Sequence, residues 1–250
     1  MALPDDSAPA PDDRMAVAGI RQGRATIGLF IAAGVLVAVG TAGFLLLLAA
    51  VSGGSGPTGA DRAILAWLVD QRTPALTTAM SVTATVSGPV GMPIIVLVTT
   101  VVWSLTSRRL WRPVLLASAM VIGVLLTFVF THLAGRPRPP EEFMLMGFDP
   151  TSSFPSGHAV GAGDFLLAGG YLLCSRIRSV ARIVLCTITA VAGIVWVDLC
   201  RLYLGYHWFT DVAASLGLSI AVLGLVIAAD AWRQGGGERN AHIRAKGFHL

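Results

Sequence analysis

Long apolar segments dominate this sequence and restrict the folds that it can adopt. The first runs from Ala25 to Val51 without a charged residue, and about 20 apolar residues are enough to cross a bilayer as a helix. Hydrophobic residues make up 54% of the chain and charged residues only 13%, whereas soluble domains carry about 25% charged residues. We therefore expect an all-α integral membrane protein, because a helix satisfies its own backbone hydrogen bonds in lipid.

Six membrane-spanning helices are predicted, joined by polar segments. They cover 25–51, 73–105, 114–134, 156–174, 183–199 and 209–232. The second contains two breaks, Gly88-Pro89 and Gly91-Met92-Pro93, so we expect it to be kinked or to begin with a turn that does not span. Between the first two spans, apolar and polar residues mix from Asp61 to Val69, and this pattern predicts a short amphipathic helix at the interface.

The two ends of the chain differ from the membrane domain predicted at 25–232. Residues 1–24 are acidic and proline-rich at first, and residues 233–250 are polar, glycine-rich and basic. We expect a disordered tail before the domain and a mobile tail after it. The net charge of +4 comes from basic residues scattered between spans, so it does not indicate nucleic-acid binding. The three cysteines lie within or beside apolar runs, which favours reduced, buried thiols over a disulfide or metal site.

The basic residues predict the orientation of the spans. Of the 18 lysines and arginines, 13 lie on the side that both termini share and five lie on the other. Those five are Arg62, Arg72, Arg136, Arg138 and Arg201. The positive-inside rule then makes both termini cytoplasmic. Arg62 and Arg72 fit a simple role of reaching towards lipid headgroups, whereas the other three occur in turns at the ends of neighbouring spans and indicate a local function.

The segment from Phe154 to His158 has the composition of an anion-binding helix start. Pro155 can preset the turn into the helix, and Gly157 lets backbone N–H groups approach a ligand. The first N–H groups of a helix lack internal partners and lie at the positive end of its dipole. His158 adds a group that transfers protons near neutral pH. Taken alone, the pattern is equally compatible with Ser156 as a plain N-cap and His158 as an incidental residue.

Two further turns carry basic and acidic side chains. Arg136 and Arg138 alternate with prolines, and in such an extended chain they point in different directions, so one of them is expected to face a shared site. Arg201, His207 and Asp211 follow at the end of the next span. His207 and Asp211 are four residues apart and share a face if helical, where a carboxylate can fix the tautomer of the imidazole. The alternative is a helix-end contact without chemistry.

Together these turns resemble the three motifs of the type 2 phosphatidic acid phosphatase (PAP2) superfamily. The matching segments are Arg136-Pro137-Arg138-Pro139, Pro155-Ser156-Gly157-His158 and Arg201-x5-His207-x3-Asp211. Vanadium-dependent haloperoxidases share the motifs, but their known forms are not six-span membrane proteins. The resemblance implies a phosphatase without metal or cofactor in a bacterial-type inner membrane. Its substrate would be a lipid phosphate or polyprenyl (di)phosphate, bound at the extracytoplasmic face.

The resemblance also implies a role for each motif residue. His207 would be the nucleophile that becomes phosphorylated, and Asp211 would orient it. His158 would protonate the leaving oxygen and later activate water. The residues that would hold the phosphoryl oxygens are Arg138, Ser156, Gly157 and Arg201.

One position departs from the family pattern. The first motif begins with a lysine seven residues before its last Arg-Pro, and that position is Thr131 here. His132 and Arg136 are both candidates to supply the missing charge, and the sequence does not choose between them. The loss favours a less charged substrate, and it leaves open a second hypothesis, a non-catalytic lipid-phosphate binder or transporter that retains the pocket. Undecaprenyl diphosphate, phosphatidate and phosphatidylglycerol phosphate are all compatible with the sequence, which predicts no oligomeric state.

Overall fold

The protein is a bundle of α-helices. The computed structural model describes the backbone of residues 11–53, 58–107, 110–177 and 179–246, and the side chains of these except at 11–22, 24 and 236–246. The helices are α1 (Pro11–Ser52), α2 (Gly59–Asp70), α3 (Pro74–Val86), α4 (Gly91–Ser107), α5 (Trp111–Ala134), α6 (Gly157–Cys174), α7 (Val180–Tyr203) and α8 (Phe209–Lys246). A short 3-10 turn at Glu141–Phe143 interrupts the connection from α5 to α6. The described residues contain no β-strand, so the predicted all-α class is confirmed.

Four helical segments are long and apolar enough to cross a membrane. They are Ala25–Ser52, Trp111–Ala134, Val180–Tyr203 and Phe209–Gly235. The pair α3 and α4 passes the same test as one broken span, bent by 56°. Gly91 permits the break, because a Cβ there would lie 2.2 Å from the Val86 carbonyl oxygen. The described residues thus contain four candidate spans, or five if the bent pair is one span. A sixth span at α6 stays a prediction, as does the interfacial position of α2.

Both predicted tails are partly helical. Helix α1 begins at Pro11, and helix α8 continues to Lys246, whereas the composition predicts disorder up to residue 24 and mobility from residue 233. Proline is favoured at the first position of a helix, and Pro11 occupies that position in α1. Residues after 237 include strong helix formers that extend α8 beyond its glycines. The disorder predicted at 1–10 and the mobility predicted at 247–250 lie outside the described residues.

The backbones of α1 and α8 approach each other closely at glycines. A Cβ at Gly40 would lie 2.5 Å from the Gly217 carbonyl oxygen, and one at Gly224 would lie 2.7 Å from the Ala33 carbonyl oxygen. Small residues allow such close packing between helices in lipid, where the hydrophobic effect does not drive association. Helix α6 packs against α5, α7 and α8, so its first turn lies beside the end of α5 and the start of α8.

Replacing Gly40 by alanine should destabilise the bundle. The added methyl group would overlap the carbonyl of Gly217, and overpacking of this kind costs about 1–3 kcal/mol. Gly34→Ala is the matched control, because Gly34 lies in the same helix, is exposed and has no atom within 4 Å of its Cβ position. Thermal unfolding of the detergent-solubilised variants measures the difference. Equal unfolding temperatures for the two variants would mean that α1 does not depend on this contact.

Candidate active site

Three turns meet at one end of the bundle. The segment after α5 contacts the segment before α6, since the Ser153 N–H donates to the Arg136 carbonyl at 2.9 Å. It also contacts the connection between α7 and α8, since the Trp208 indole N–H donates to the Pro137 carbonyl at 2.9 Å. The three motif segments that the sequence singled out are therefore neighbours in space.

His207 occupies the centre of this region and is buried, with 2% of its surface exposed. Its Nδ1 lies 2.7 Å from the carbonyl oxygen of Ser153. Because a carbonyl only accepts hydrogen bonds, this contact assigns the proton to Nδ1 and leaves a lone pair on Nε2. Burial, together with the charges of Arg201 and Arg138, holds the pKa of His207 well below 6.5. The imidazole is therefore neutral at neutral pH, with Nε2 able to act as a nucleophile.

Asp211 supports His207 through its charge rather than through a direct hydrogen bond. Its Oδ2 lies 3.6 Å from Nδ1 of His207, which is beyond normal hydrogen-bond distance. The same oxygen accepts the Trp208 backbone N–H at 2.8 Å, and Oδ1 accepts a hydrogen bond from Arg136. The group that orients His207 by a direct hydrogen bond is thus the Ser153 carbonyl rather than Asp211. The sequence motifs do not contain Ser153.

Arg136 is buried between two carboxylates. Besides Asp211, its guanidinium contacts Asp61 of α2 at 2.9 Å and the hydroxyl of Thr210 at 2.6 Å. Asp61 also accepts the backbone N–H groups of Thr210 and Thr58, both at 2.9 Å. Burial raises the pKa of Asp61, but these bonds and the Arg136 charge outweigh it and lower the pKa overall, so Asp61 is ionised at neutral pH.

Asp61 lies outside the three sequence motifs, and the sequence does not predict it as a site residue. Its only local signal is the spacing Thr58-x-x-Asp61, which predicts a capping box at the start of α2 and which the structure contains. That signal explains the bond between the two residues and says nothing of an arginine 75 positions further along the chain.

Arg138 is the arginine of the proline-rich turn that faces His207. Its Nη1 lies 3.3 Å from Nε2 of His207, while its Nη2 lies 2.8 Å from Oδ2 of Asp149. Burial lowers the pKa of Arg138, and the charge of Asp149 opposes this. A cavity of about 470 Å³, lined by Arg138, Asp149, Thr151 and Phe148 among others, opens beside this guanidinium.

Arg201 and His158 complete the basic cluster. Arg201 is 5% exposed, its guanidinium carbon lies 4.7 Å from the centre of the Tyr206 ring, and its buried Nε has no hydrogen-bond partner. Buried N–H groups normally have a partner, so this one is available to an anion. Nε2 of His158 lies 3.2 Å from the Cβ position of Gly88, between α3 and α4, and the charges of Arg201 and Arg138 act on the ring. His158 comes five residues after Ser153, whose carbonyl bonds to His207, so the two imidazoles lie at the same end of the bundle.

The remaining motif positions have simpler contacts. The Ser156 hydroxyl caps α6 by accepting the Ala159 N–H at 3.4 Å, and its own N–H donates to the Ser215 hydroxyl at 3.0 Å. Gly157 is exposed at the first turn of α6, with only the methyl group of Thr127 near its Cβ position, at 3.6 Å. The described residues hold no group of three or more His, Cys, Asp or Glu side chains that could bind a metal ion.

His132 and Arg136, the two candidates to supply the charge missing at Thr131, have different surroundings in the structure. Thr131 lies in the last turn of α5. His132 is exposed there, with Nδ1 bonded to the Phe128 carbonyl at 2.7 Å and its ring 4.4 Å from the Phe128 ring. It therefore lies on its own helix rather than in the cluster. Arg136 is at the site, but Asp61 and Asp211 balance its charge.

Comparison with known proteins identifies relatives. A sequence profile of the PAP2 superfamily matches residues 112–234. The lipid A 1-phosphatase of Rhizobium etli is 30% identical over 114 residues, which are 42% of this chain and 45% of that protein. The match thus spans less than half of the relative's length.

Two solved structures resemble the fold. One is the transmembrane PAP2-type phosphatidylglycerolphosphate phosphatase of Bacillus subtilis, with a TM-score of 0.65 and 25% identity over 75% of this chain and 92% of that one. The other is LpxE of Aquifex aeolicus, with a TM-score of 0.50 and 18% identity over 68% of this chain and 95% of that one; it adds a likeness of fold alone.

Replacing Asp61 by asparagine should destabilise the protein. The change keeps the shape of the side chain but leaves the buried Arg136 with one carboxylate, and breaking a buried ion pair costs about 3 kcal/mol or more. Asp70→Asn is the matched control, because Asp70 lies in α2 and is exposed. Unfolding of both variants in detergent measures the effect. If Asp61→Asn unfolds at the same temperature as Asp70→Asn, the ion pair contributes nothing to folding.

Proposed function

This chain belongs to the PAP2 superfamily, and we propose from that premise that it is a membrane phosphatase that removes a terminal phosphate from a lipid. One observation carries the proposal. The neutral His207 presents Nε2 to Arg138 at 3.3 Å, and the buried Arg201 and the half-buried His158 lie at the same end of the bundle. A nucleophile, a proton donor and two guanidinium groups are the parts that a phosphoryl transfer through a covalent intermediate requires.

In the first proposed step, Nε2 of His207 attacks phosphorus. A nitrogen–phosphorus bond forms, and the bond from phosphorus to the lipid oxygen breaks. His158, in its protonated form, gives its proton to that oxygen, so the leaving group departs as an alcohol. The Ser153 carbonyl and the nearby charge of Asp211 stabilise the positive charge that the imidazole gains.

In the second step, the intermediate is hydrolysed. His158, now neutral, takes a proton from a water molecule, and the resulting oxygen nucleophile attacks phosphorus. The nitrogen–phosphorus bond breaks, inorganic phosphate leaves and His207 is restored. Arg138, Arg201 and the first N–H groups of α6 stabilise the phosphoryl oxygens in both steps. The proposed reaction uses no metal ion.

The proposed membrane arrangement follows the arginine distribution. If α6 is also a span, the chain has six spans. Most of the lysines and arginines and both termini then lie on the cytoplasmic side. The three motif turns then lie at the extracytoplasmic face of a bacterial-type inner membrane. A substrate can place its phosphate there while its acyl or prenyl chains stay in the bilayer.

The charge of the cluster favours a monophosphate over a diphosphate. Thr131 takes the position of a family lysine, and Asp149 adds a negative charge beside Arg138. A diphosphate carries more negative charge and so needs more cations than this cluster supplies. The named relatives also act on lipid phosphates, a lipid A phosphate and phosphatidylglycerol phosphate. We therefore propose a lipid monophosphate as the substrate class.

Phosphate release by the purified protein in detergent, with a chelator present, tests the proposal. The wild-type protein should release phosphate from phosphatidate faster than from a polyprenyl diphosphate. His207→Ala should slow release by at least about 1,000-fold, because it removes the nucleophile. The matched control is His132→Ala, a histidine at the same end of the bundle but outside the cluster, and it should retain activity. An active His207→Ala variant would contradict the mechanism. No release from any member of a broad panel of lipid phosphates would instead favour the second hypothesis, a non-catalytic binder.

A further inference from the structure

The hydrogen-bond donors of Arg138 are nearly all used within the protein. Nε donates to the Thr151 carbonyl at 3.0 Å, and Nη2 donates to the Thr151 hydroxyl at 2.8 Å. Nη2 also pairs with Asp149 at 2.8 Å. Nη1 donates to the Tyr206 carbonyl at 2.8 Å. A guanidinium has five N–H donors, and the remaining one, on Nη1, is directed at Nε2 of His207 at 3.3 Å.

Asp149 is itself held in place. Its Oδ1 accepts the backbone N–H and the hydroxyl of Thr151, at 3.0 and 2.7 Å, so Oδ2 is turned to Arg138. Burial raises the pKa of Asp149, but the bonds from Thr151 and the charge of Arg138 outweigh it and lower the pKa overall. Asp149 is therefore a carboxylate at neutral pH, and it pairs with Arg138 as a charged group.

The segment that carries Asp149 is anchored at both ends. On one side, the Met146 N–H donates to the Tyr206 hydroxyl at 2.9 Å. On the other side, the Ser153 carbonyl accepts the proton on Nδ1 of His207 at 2.7 Å. Residues 149–153 thus contact both Arg138, which faces Nε2 of His207, and the imidazole of His207 itself.

We propose that Asp149 is a positioning residue for the phosphoryl transfer, an inference that rests on the proposed function. Asp149 and Thr151 hold the outer edge of the Arg138 guanidinium, so that a single N–H of Nη1 meets an oxygen of the phosphoryl group on His207. A free guanidinium would bind phosphate through two parallel bonds. Here Asp149 and Thr151 already occupy one edge of the guanidinium. They hold Arg138 in the orientation that phosphoryl binding needs, which lowers the entropic cost of binding.

Two substitutions separate this role from a purely structural one. Asp149→Asn removes the charge but keeps an oxygen for Thr151, and Thr151→Val removes the hydroxyl at nearly constant shape. Glu142→Gln is the control, because Glu142 is an exposed acid in the same connection and has no ion pair with Arg138. For each variant, kcat and KM are measured with phosphatidate in detergent. Inhibition by orthovanadate, a phosphate-like oxyanion, and the unfolding temperature are measured in parallel.

Asp149→Asn should lower kcat/KM by about tenfold or more, because misplacing one catalytic group can cost up to about 100-fold. The inhibition constant of orthovanadate should rise by a comparable factor while the unfolding temperature stays near that of the wild type. Thr151→Val should change both constants in the same direction by less, and Glu142→Gln should change neither. If Asp149→Asn fails to fold, the Thr151→Val variant decides.

Two results would overturn the inference while the wild-type protein remains an active phosphatase. Tighter inhibition by orthovanadate in Asp149→Asn would mean that Asp149 competes with phosphate for Arg138. Unchanged constants in both Asp149→Asn and Thr151→Val would mean that Arg138 needs no such support. A wild-type protein that releases no phosphate contradicts the proposed function instead, and the inference fails with it.

Discussion

The site depends on one buried guanidinium, that of Arg136, held between the carboxylates of Asp61 and Asp211. A charge taken out of water must be paired, or the cost exceeds what a fold can offset. Asp61 lies on α2, Arg136 follows α5 and Asp211 begins α8, so a single ion network fixes three elements that are distant in the sequence. Asp211 also lies beside His207, and the network therefore sets the surroundings of the imidazole for which we propose the nucleophilic role.

Three arginines at the site differ in how fully the protein satisfies them. Arg136 is enclosed by two acids and Thr210, so it supports structure. Arg138 is held on its outer edge and directs one N–H at His207. Arg201 rests on Tyr206, and its Nε has no hydrogen-bond partner within the described chain. A buried cation with fewer hydrogen-bond partners in the protein gains more binding free energy from an incoming anion. From this order we expect Arg136 to supply little of the charge that is missing at Thr131.

The sequence predicts much of the fold because apolar run length and glycine-proline breaks are local signals. The span predicted at 114–134 covers all of α5 except its first three residues, and the break predicted near Gly88 separates α3 from α4. The site is less accessible to such reasoning. Asp61 meets Arg136 across 75 positions, and the group that bonds His207 is the backbone carbonyl of Ser153, which any residue would supply. Neither a partner so distant in the sequence nor a backbone carbonyl can be predicted from composition or from motif spacing.

The position of the phosphoryl group in the trapped intermediate tests the proposed mechanism most directly. Rapid quenching of the enzyme with a lipid monophosphate labelled in its phosphate, followed by digestion and separation of the phosphohistidine isomers, locates it. Because Nδ1 of His207 bonds to the Ser153 carbonyl, the label should be found on Nε2 of His207. A label on Nδ1, on His158 or on no histidine at all would contradict the proposed mechanism.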